Sequence, residues 1–155
     1  MNIGCLFGSF DPPHMGHLAV AEHMLRTQGL DQVWLVVTPS NPFKAHRSLS
    51  PDLHRLAMVR LATQGREGLL ASGAELDQPK PNYTVDTLRF LRERWPQHAF
   101  SLIVGGDNLL RFTEWKDHEE ILAHHRLLVY PRPGSDTTQS PLTFHPAVTV
   151  VNDAP

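Results

Sequence analysis

Two histidines three residues apart, His14 and His17, follow a Gly-Ser turn and an Asp-Pro-Pro sequence in the stretch Leu6 to Leu18, LFGSFDPPHMGHL. On a helix, side chains at that spacing share one face and can point at the same ligand. Gly8 and Ser9 would let backbone amides come close to an anion. The helix beginning beyond them would present unpaired N–H groups and the positive end of its dipole. Together these features resemble a phosphate clamp. A zinc pair is the competing chemistry, since histidines three apart can share a metal, but no cysteine and no nearby carboxylate pattern completes such a site. Two histidines merely solvated at a helix start are the third reading.

Such residues need a scaffold, and the remaining pattern describes one. Ile3 to Phe7 is a short apolar run closed by Gly8, as a buried strand should be. From about Met15 to Thr27, Leu18, Ala21, Met24 and Leu25 recur at helical spacing before Gly29. Val33 to Pro39 is an unbroken apolar run, typical of a strand covered on both faces. This β-α-β order predicts parallel neighbours joined by a right-handed crossover. Ser50-Pro51 then predicts a capped helix with Leu53, Leu56, Ala57 and Leu61 on one face. Leu69 to Leu76 is a strand candidate. After Pro79 and Pro81, Val85, Leu88, Leu91 and Trp95 mark a second amphipathic helix closed by Pro96, with Thr84 a candidate cap. Phe100 to Val104 is a strand ending in Gly105-Gly106-Asp107. Short helical pieces around Asn108 to Phe112 and Asp117 to Ala123 follow, then strands from Arg126 to Tyr130 and Val148 to Val151.

Strands alternating with helices predict a Rossmann-like, doubly wound α/β fold, a mostly parallel sheet with helices on both faces. Ligands of such sheets sit beyond the carboxyl ends of the strands. The polar clusters fall there: Gly8 to His17, Thr38 to Lys44, and Gly105 to Asp107. Trp34 and Trp95 read as core, and His124-His125 as surface.

The 155 residues, 41% of them hydrophobic, suffice for one domain with a single sizeable core, and neither repeats nor a long linker interrupt them. A formal charge of −2 and a pI near 6.5 argue against a general nucleic-acid or membrane-surface binder, because no basic excess collects phosphates nonspecifically. Any phosphate must be met locally. Cys5 is the only cysteine, which excludes a disulfide framework and a multi-thiolate metal site and fits a reducing compartment. The first residues lack the order of a secretion signal, and no apolar run is long enough to span a bilayer, so a cytoplasmic protein is expected.

GSFDPPHMGH is similar to the H-x-G-H signature of the nucleotidyltransferase superfamily, and its Phe-Asp-Pro-x-His form resembles bacterial nicotinate-nucleotide adenylyltransferases. TPSNPFK, HRLAMVRLA, PNYTVDTL, IVGGDNLLRFTEWKDHEEIL and RLLVYPRPG resemble that family's successive motifs in order, so the likeness covers nearly the whole chain. It implies attack of a mononucleotide's phosphate on the α-phosphorus of ATP, releasing pyrophosphate and leaving a dinucleotide. Such a nucleophile is already anionic, so no general base is required; positioning and charge neutralisation can carry catalysis. The inventory agrees: histidines, Lys44, Arg132 and glycine-rich turns, without a Ser-His-Asp arrangement or an evident acid/base carboxylate pair.

By the resemblance, His14, His17 and Lys44 are the catalytic candidates, and Gly8, Ser9, Phe10, His14, His17, Gly105 and Asp107 bind ATP, with Asp107 placed to accept ribose hydroxyl bonds. Asn41, Lys44, Tyr83, Thr84, Trp115 and Arg132 line the mononucleotide site, where Trp115 stacks on the pyridine ring and the Tyr83-Thr84 segment meets its substituent. Lys44 as a solvated lysine, Thr84 as a helix cap and Trp115 as core are the structural alternatives. Mg2+ would be held mainly by ATP phosphates and water, with no protein-built metal site. The implied partners are ATP and a pyridine mononucleotide, without nucleic acid or membrane; the oligomeric state stays open, with a homodimer one option.

Two departures qualify the likeness. Gly8-Ser9 stands where many relatives have two successive glycines. Relatives also continue past the last strand into an Ile-Ser-x-Thr-x-x-Arg type segment that grips the triphosphate, whereas this sequence ends at Pro155. A single nucleotidyltransferase domain over 1–155 lacking that segment is therefore expected, with weakened ATP binding, low turnover and uncovered apolar surface prone to self-association. Phosphopantetheine adenylyltransferase is an alternative, but that family usually has threonine at the position of His14 and lacks the Tyr83-Thr84 and Trp115 pattern. Nicotinamide mononucleotide is an alternative acceptor, because a backbone amide makes that distinction and leaves no residue signature. A nucleotide-binding module with little activity is the non-enzymatic alternative.

Overall fold

Side chains alternate across each strand, and here both sets are apolar. The computed structural model describes residues 1–39, 50–79, 82–131 and 136–151. Its strands are β1 (Asn2–Gly8), β2 (Gln32–Val37), β3 (Leu69–Ser72), β4 (Ala99–Gly105), β5 (Leu127–Tyr130) and β6 (Val148–Val150). The helices are α1 (Met15–Thr27), α2 (Asp52–Thr63), α3 (Thr84–Arg94), α4 (Gly106–Arg111) and α5 (His118–His124). Ile3 and Cys5 of β1 and Leu102 and Val104 of β4 pack with Val85, Leu88 and Leu91 of α3 and Ile121 of α5. Leu6, Val33, Leu35, Val37 and Ile103 turn to the other face, against Leu18, Ala21 and Met24 of α1 and Leu56 and Val59 of α2. Burying both faces of a strand in this way explains the unbroken apolar runs. Each fully buried Val, Leu, Ile or Met side chain among them contributes roughly 1.5–3 kcal/mol.

The strands form one parallel sheet in the order β3-β2-β1-β4-β5-β6. The chain moves outward from β1 to β3, then returns to place β4 on the other side of β1. This is the doubly wound order, and the reversal opens a crevice at the carboxyl ends of β1 and β4. Register pairs Leu6 with Ile103, so the two strands end side by side at Gly8 and Gly105. No helix among the described residues is long and apolar enough to cross a membrane.

Several details differ from the sequence expectation. Of the face predicted for α2, only Leu56 is buried; Leu53 is 76% and Leu61 72% exposed, and Ala57 is exposed too. The buried face is Arg55, Leu56, Val59 and Thr63, because backbone carbonyls draw the Arg55 guanidinium inward. Ser50 does not cap this helix: Pro51 is the N-cap, with no side-chain cap bond. Likewise Thr84 is the first residue of α3, and the N-cap is Tyr83. The strand expected over Leu69 to Leu76 stops at Ser72 and turns into a 3-10 segment, Ala74–Asp77. There the buried Glu75 accepts a 2.7 Å bond from the Thr87 hydroxyl, and its burial raises the pKa of its carboxyl. Further 3-10 turns occupy Phe112–Glu114, Thr137–Gln139 and Pro141–Phe144. Trp34 and Trp95 pack edge to face at 5.1 Å and are partly buried against the core.

His125, expected at the surface, is buried. Its Nδ1 donates to the Phe100 carbonyl at 2.7 Å, while Nε2 accepts from Arg92 at 2.8 Å. Arginine only donates and a carbonyl only accepts, which assigns the neutral tautomer. Burial pushes its pKa down to about 4. Cys5 is wholly buried, and burial pushes its thiol pKa far up, away from thiolate chemistry.

Candidate active site

At the end of β1, the Gly8 carbonyl accepts a bond from the Thr38 amide at 2.9 Å, which ties the first turn to the end of β2. Phe10 takes a left-handed backbone conformation, φ 49°, and its side chain is 2% exposed. The ring lies over Gly8 so closely that a Cβ there would meet it at 3.0–3.3 Å. That contact accounts for glycine at this position. The Phe10 side chain thus belongs to the core and is not available to a ligand at this turn. Asp11 accepts a 2.8 Å bond from the Ser50 amide, and this bond lowers the pKa of its carboxyl.

His14 is not on the helix with His17 as the spacing predicted; it is the N-cap of α1, with φ −133° and ψ 173°. Its Nδ1 accepts from the Gly16 amide at 3.1 Å, and the His14 amide donates to Nδ1 of His17 at 3.1 Å. The pair is a capping box built from imidazoles. The rings stack with centroids 3.6 Å apart, and Phe10 meets His17 edge-on at 4.9 Å. Since a backbone N–H can only donate, each Nδ1 must be an acceptor, and the neutral rings carry their protons on Nε2. The arrangement thus offers Nε2–H donors at a helix start. The first turn of α1 contains no acidic residue, so the helix dipole favours an anion there.

Across the crevice, Gly105 is the N-cap of α4 and Asp107 lies exposed in its first turn. Further along, Asn82, Tyr83, Thr84, Glu114, Trp115 and Lys116 line a concavity of about 250 Å³. The structure thus brings together Tyr83, Thr84 and Trp115, more than thirty residues apart at their extremes. Trp115 is half-buried and leans on Phe112 with centroids 4.8 Å apart. Lys116 places Nζ 4.5 Å from the Tyr83 ring centroid and 3.6 Å from Asp86. Beneath this wall Arg89 joins Asp86 of α3 to Glu120 of α5, at 3.1 and 2.7 Å. Hydrogen bonding within the pair raises the pKa of Arg89 and lowers that of Glu120.

Asn41, Lys44 and Arg132 lie outside the described residues. Sequence reasoning missed Lys116 and Arg55. Arg55 stands in helical phase with Val59 and could have been read as inward-facing. A groove of about 520 Å³ along edge strand β3, lined by Trp34, Leu53, Phe90 and Trp95 among others, contains none of the predicted residues. Among the described residues, no group of three or more His, Cys, Asp or Glu could hold a metal ion, and both Nδ1 atoms of the histidine pair are occupied by backbone amides.

The cytidylyltransferase-like family profile matches residues 5–153. The probable nicotinate-nucleotide adenylyltransferase of Cytophaga hutchinsonii is 49% identical over 151 residues, 97% of this chain and 78% of that protein. Its counterpart in Flavobacterium johnsoniae is 45% identical over 155 residues, 100% of this chain and 80% of that protein. Among solved structures, Plasmodium falciparum nicotinic acid mononucleotide adenylyltransferase, complexed with APC or with NaAD, superposes with a TM-score of 0.75. That match covers 97% of this chain and 74% of the other at 18% identity, a likeness of fold. With a family profile spanning almost the whole sequence and relatives this similar over most of their own length, the chain belongs to the nicotinate-nucleotide adenylyltransferases of the cytidylyltransferase-like family.

Proposed function

We propose that residues 1–155 form one nucleotidyltransferase domain that transfers the adenylyl group of ATP to nicotinate mononucleotide, giving nicotinate adenine dinucleotide and pyrophosphate for NAD biosynthesis. The observation that carries the reading is the stacked His14–His17 pair, held at a helix start whose first turn has no acidic residue. A mononucleotide phosphate oxygen attacks the α-phosphorus in line; the bond from that phosphorus to the bridging oxygen breaks, and pyrophosphate leaves with the electron pair. The nucleophile needs no deprotonation, so donors serve the reaction better than bases.

His14 and His17 would hydrogen-bond the ATP phosphates and neutralise charge as it develops. The amides around Gly8, Ser9 and Phe10 and the dipole of α1 would add fixed partial charge. Gly105 and Asp107 would meet the adenosine ribose. Trp115 would stack on the pyridine ring and the Tyr83-Thr84 segment would meet its carboxylate. Asn41, Lys44 and Arg132 are assigned to the acceptor and phosphates by the resemblance of their motifs. Mg2+ would arrive with ATP, bound by phosphate oxygens and water; the described residues offer no cage for it, and no step is assigned to a protein-held ion.

The test is incubation with ATP, Mg2+ and each acceptor in turn, measuring pyrophosphate and the adenylylated product. Nicotinate mononucleotide should be consumed. Turnover confined to phosphopantetheine, or a clear preference for nicotinamide mononucleotide, would sink the assignment.

A further inference from the structure

Arg55 is a fully buried arginine, 0% exposed, on a helix that supplies none of the residues assigned above. Its Nε donates to the Ser50 carbonyl at 3.0 Å, and its Nη1 donates to the carbonyls of both Ser9 and Thr38 at 2.7 Å. Nη2 pairs with Asp52 at 2.5 Å. A buried ion is an expensive way to fill space, and apolar side chains of similar volume often serve stability as well or better. What apolar side chains could not do is grip two turns at once. Ser9 lies in the turn after β1, and Thr38 follows β2.

We propose that Arg55 is a positioning residue for the triphosphate, setting the orientation of the Ser9–Phe10 peptide from beneath. The only cis bond among the described residues is Asp11–Pro12, so the Ser9–Phe10 peptide is trans. In a trans peptide the C=O and N–H point to opposite sides. With the Ser9 carbonyl drawn inward to Arg55, the Phe10 amide is directed away from α2, available to an anion. Phe10 holds a left-handed φ of 49° that a side-chain-bearing residue rarely adopts, and such conformations persist where surrounding structure over-determines them. Arg55 supplies part of that constraint from one side, and the Phe10 ring against Gly8 supplies part from the other. The Thr38 amide also donates to Gly8, so Arg55 and Thr38 close a ring of bonds around the turn.

This inference rests on the proposed reaction, and its test separates the two. Arg55→Met and Arg55→Lys are compared with the parent in the full chain, with ATP and nicotinate mononucleotide, and Tm and folded fraction are measured alongside. Arg55→Met should lose about 100-fold in kcat per folded molecule and raise the KM for ATP, the scale expected when a catalytic donor is misplaced. Arg55→Lys keeps a charged donor but, on a shorter stem, lacks the guanidinium fork that serves Ser9, Thr38 and Ser50 together, and should recover about tenfold of that loss. A lowered Tm with parental kcat and ATP KM per folded molecule would overturn the proposal, leaving Arg55 a packing residue. If Arg55→Met does not fold, Arg55→Lys decides by the same criterion. A parent that releases no pyrophosphate with any acceptor sinks the reaction, not this inference. Amide exchange at Phe10 then decides, with inorganic pyrophosphate as the probe. Protection in the parent that is lost in Arg55→Lys supports the proposal; equal protection in both, or none in the parent, overturns it.

Discussion

Replacing His17 by glutamine and by alanine separates two roles that one imidazole plays. Its Nδ1 accepts the His14 amide at 3.1 Å, completing the cap of α1, while Nε2–H is the donor assigned to phosphate. Glutamine at the third helical position can still accept the N-cap amide through Oε1, as in an ordinary capping box, and its amide nitrogen keeps an N–H donor displaced from the position of the imidazole Nε2–H. Alanine does neither. Loss of the cap costs about 1 kcal/mol, and loss of the edge contact with Phe10, 4.9 Å away, up to about 1 kcal/mol more. For a chain of this size His17→Ala should lower Tm by about 2–8 °C, with His17→Gln falling less by the value of the cap. Activity should behave differently. Removing one donor from a developing phosphate charge costs on the order of 100- to 1,000-fold in kcat, so His17→Ala should lose activity on that scale and His17→Gln less, with acceptor affinity little changed in both. The assay is steady-state pyrophosphate release beside thermal unfolding. A His17→Ala enzyme with kcat within about tenfold of the parent would refute the donor role and leave His17 a cap only.

Trp115→Ala should raise the KM for the mononucleotide about tenfold, the value of one aromatic stack, and change the KM for ATP by less than about twofold; a variant that fails to fold would mark Trp115 as core instead. Stability should also depend on His125. Its folded pKa of about 4 lies below the ordinary 6.5, so the unfolded chain binds the proton more readily. The contribution is full above about pH 6.5 and is lost as pH falls toward 4, by about 2 kcal/mol between pH 7 and pH 4.5. His125→Gln keeps a donor and an acceptor without titrating, and urea unfolding at both pH values should show a smaller acid loss than the parent, by about that amount. Equal losses would contradict the assignment.

The strands were legible because a strand buried on both faces has no polar phase to confuse it. β1 and β4 fall within a residue or two of their apolar runs, and α1 keeps its expected bounds, with Leu18, Ala21 and Met24 buried as predicted but His23 buried as well and Leu25 only partly. Helix α2 departs from its pattern for the opposite reason. Leucine is the usual inward marker, yet Arg55 goes inward because three carbonyls await it, while Leu53 and Leu61 face out. Such carbonyls belong to distant turns and leave no trace in local sequence. His125 hides in the same way, its partners Phe100 and Arg92 lying 25 and 33 residues away. The pocket around Tyr83, Thr84 and Trp115 is legible only through family resemblance, since no spacing rule joins residues that far apart.

The two halves of the site are supported from opposite faces of the sheet. The turn at Gly8, Phe10 and the histidine cap rest on the layer built by α1 and α2, through Phe10, Leu18 and Leu56. The wall of Tyr83, Thr84 and Trp115 rests on the layer of α3 and α5, through Val85, Phe112 and Ile121. Between them runs the β1–β4 seam, whose register sets Leu6 against Ile103, two residues before the strands end at Gly8 and Gly105. A reaction that joins two nucleotides without a base depends on holding two reactants in line, because alignment is the principal means left for lowering the barrier. A parallel sheet provides such a frame, since sliding a strand by even one residue would exchange its two buried faces and disrupt the packing on both. Arg55 extends the same logic to the turn itself, where no ladder bonds reach and a buried guanidinium takes their place.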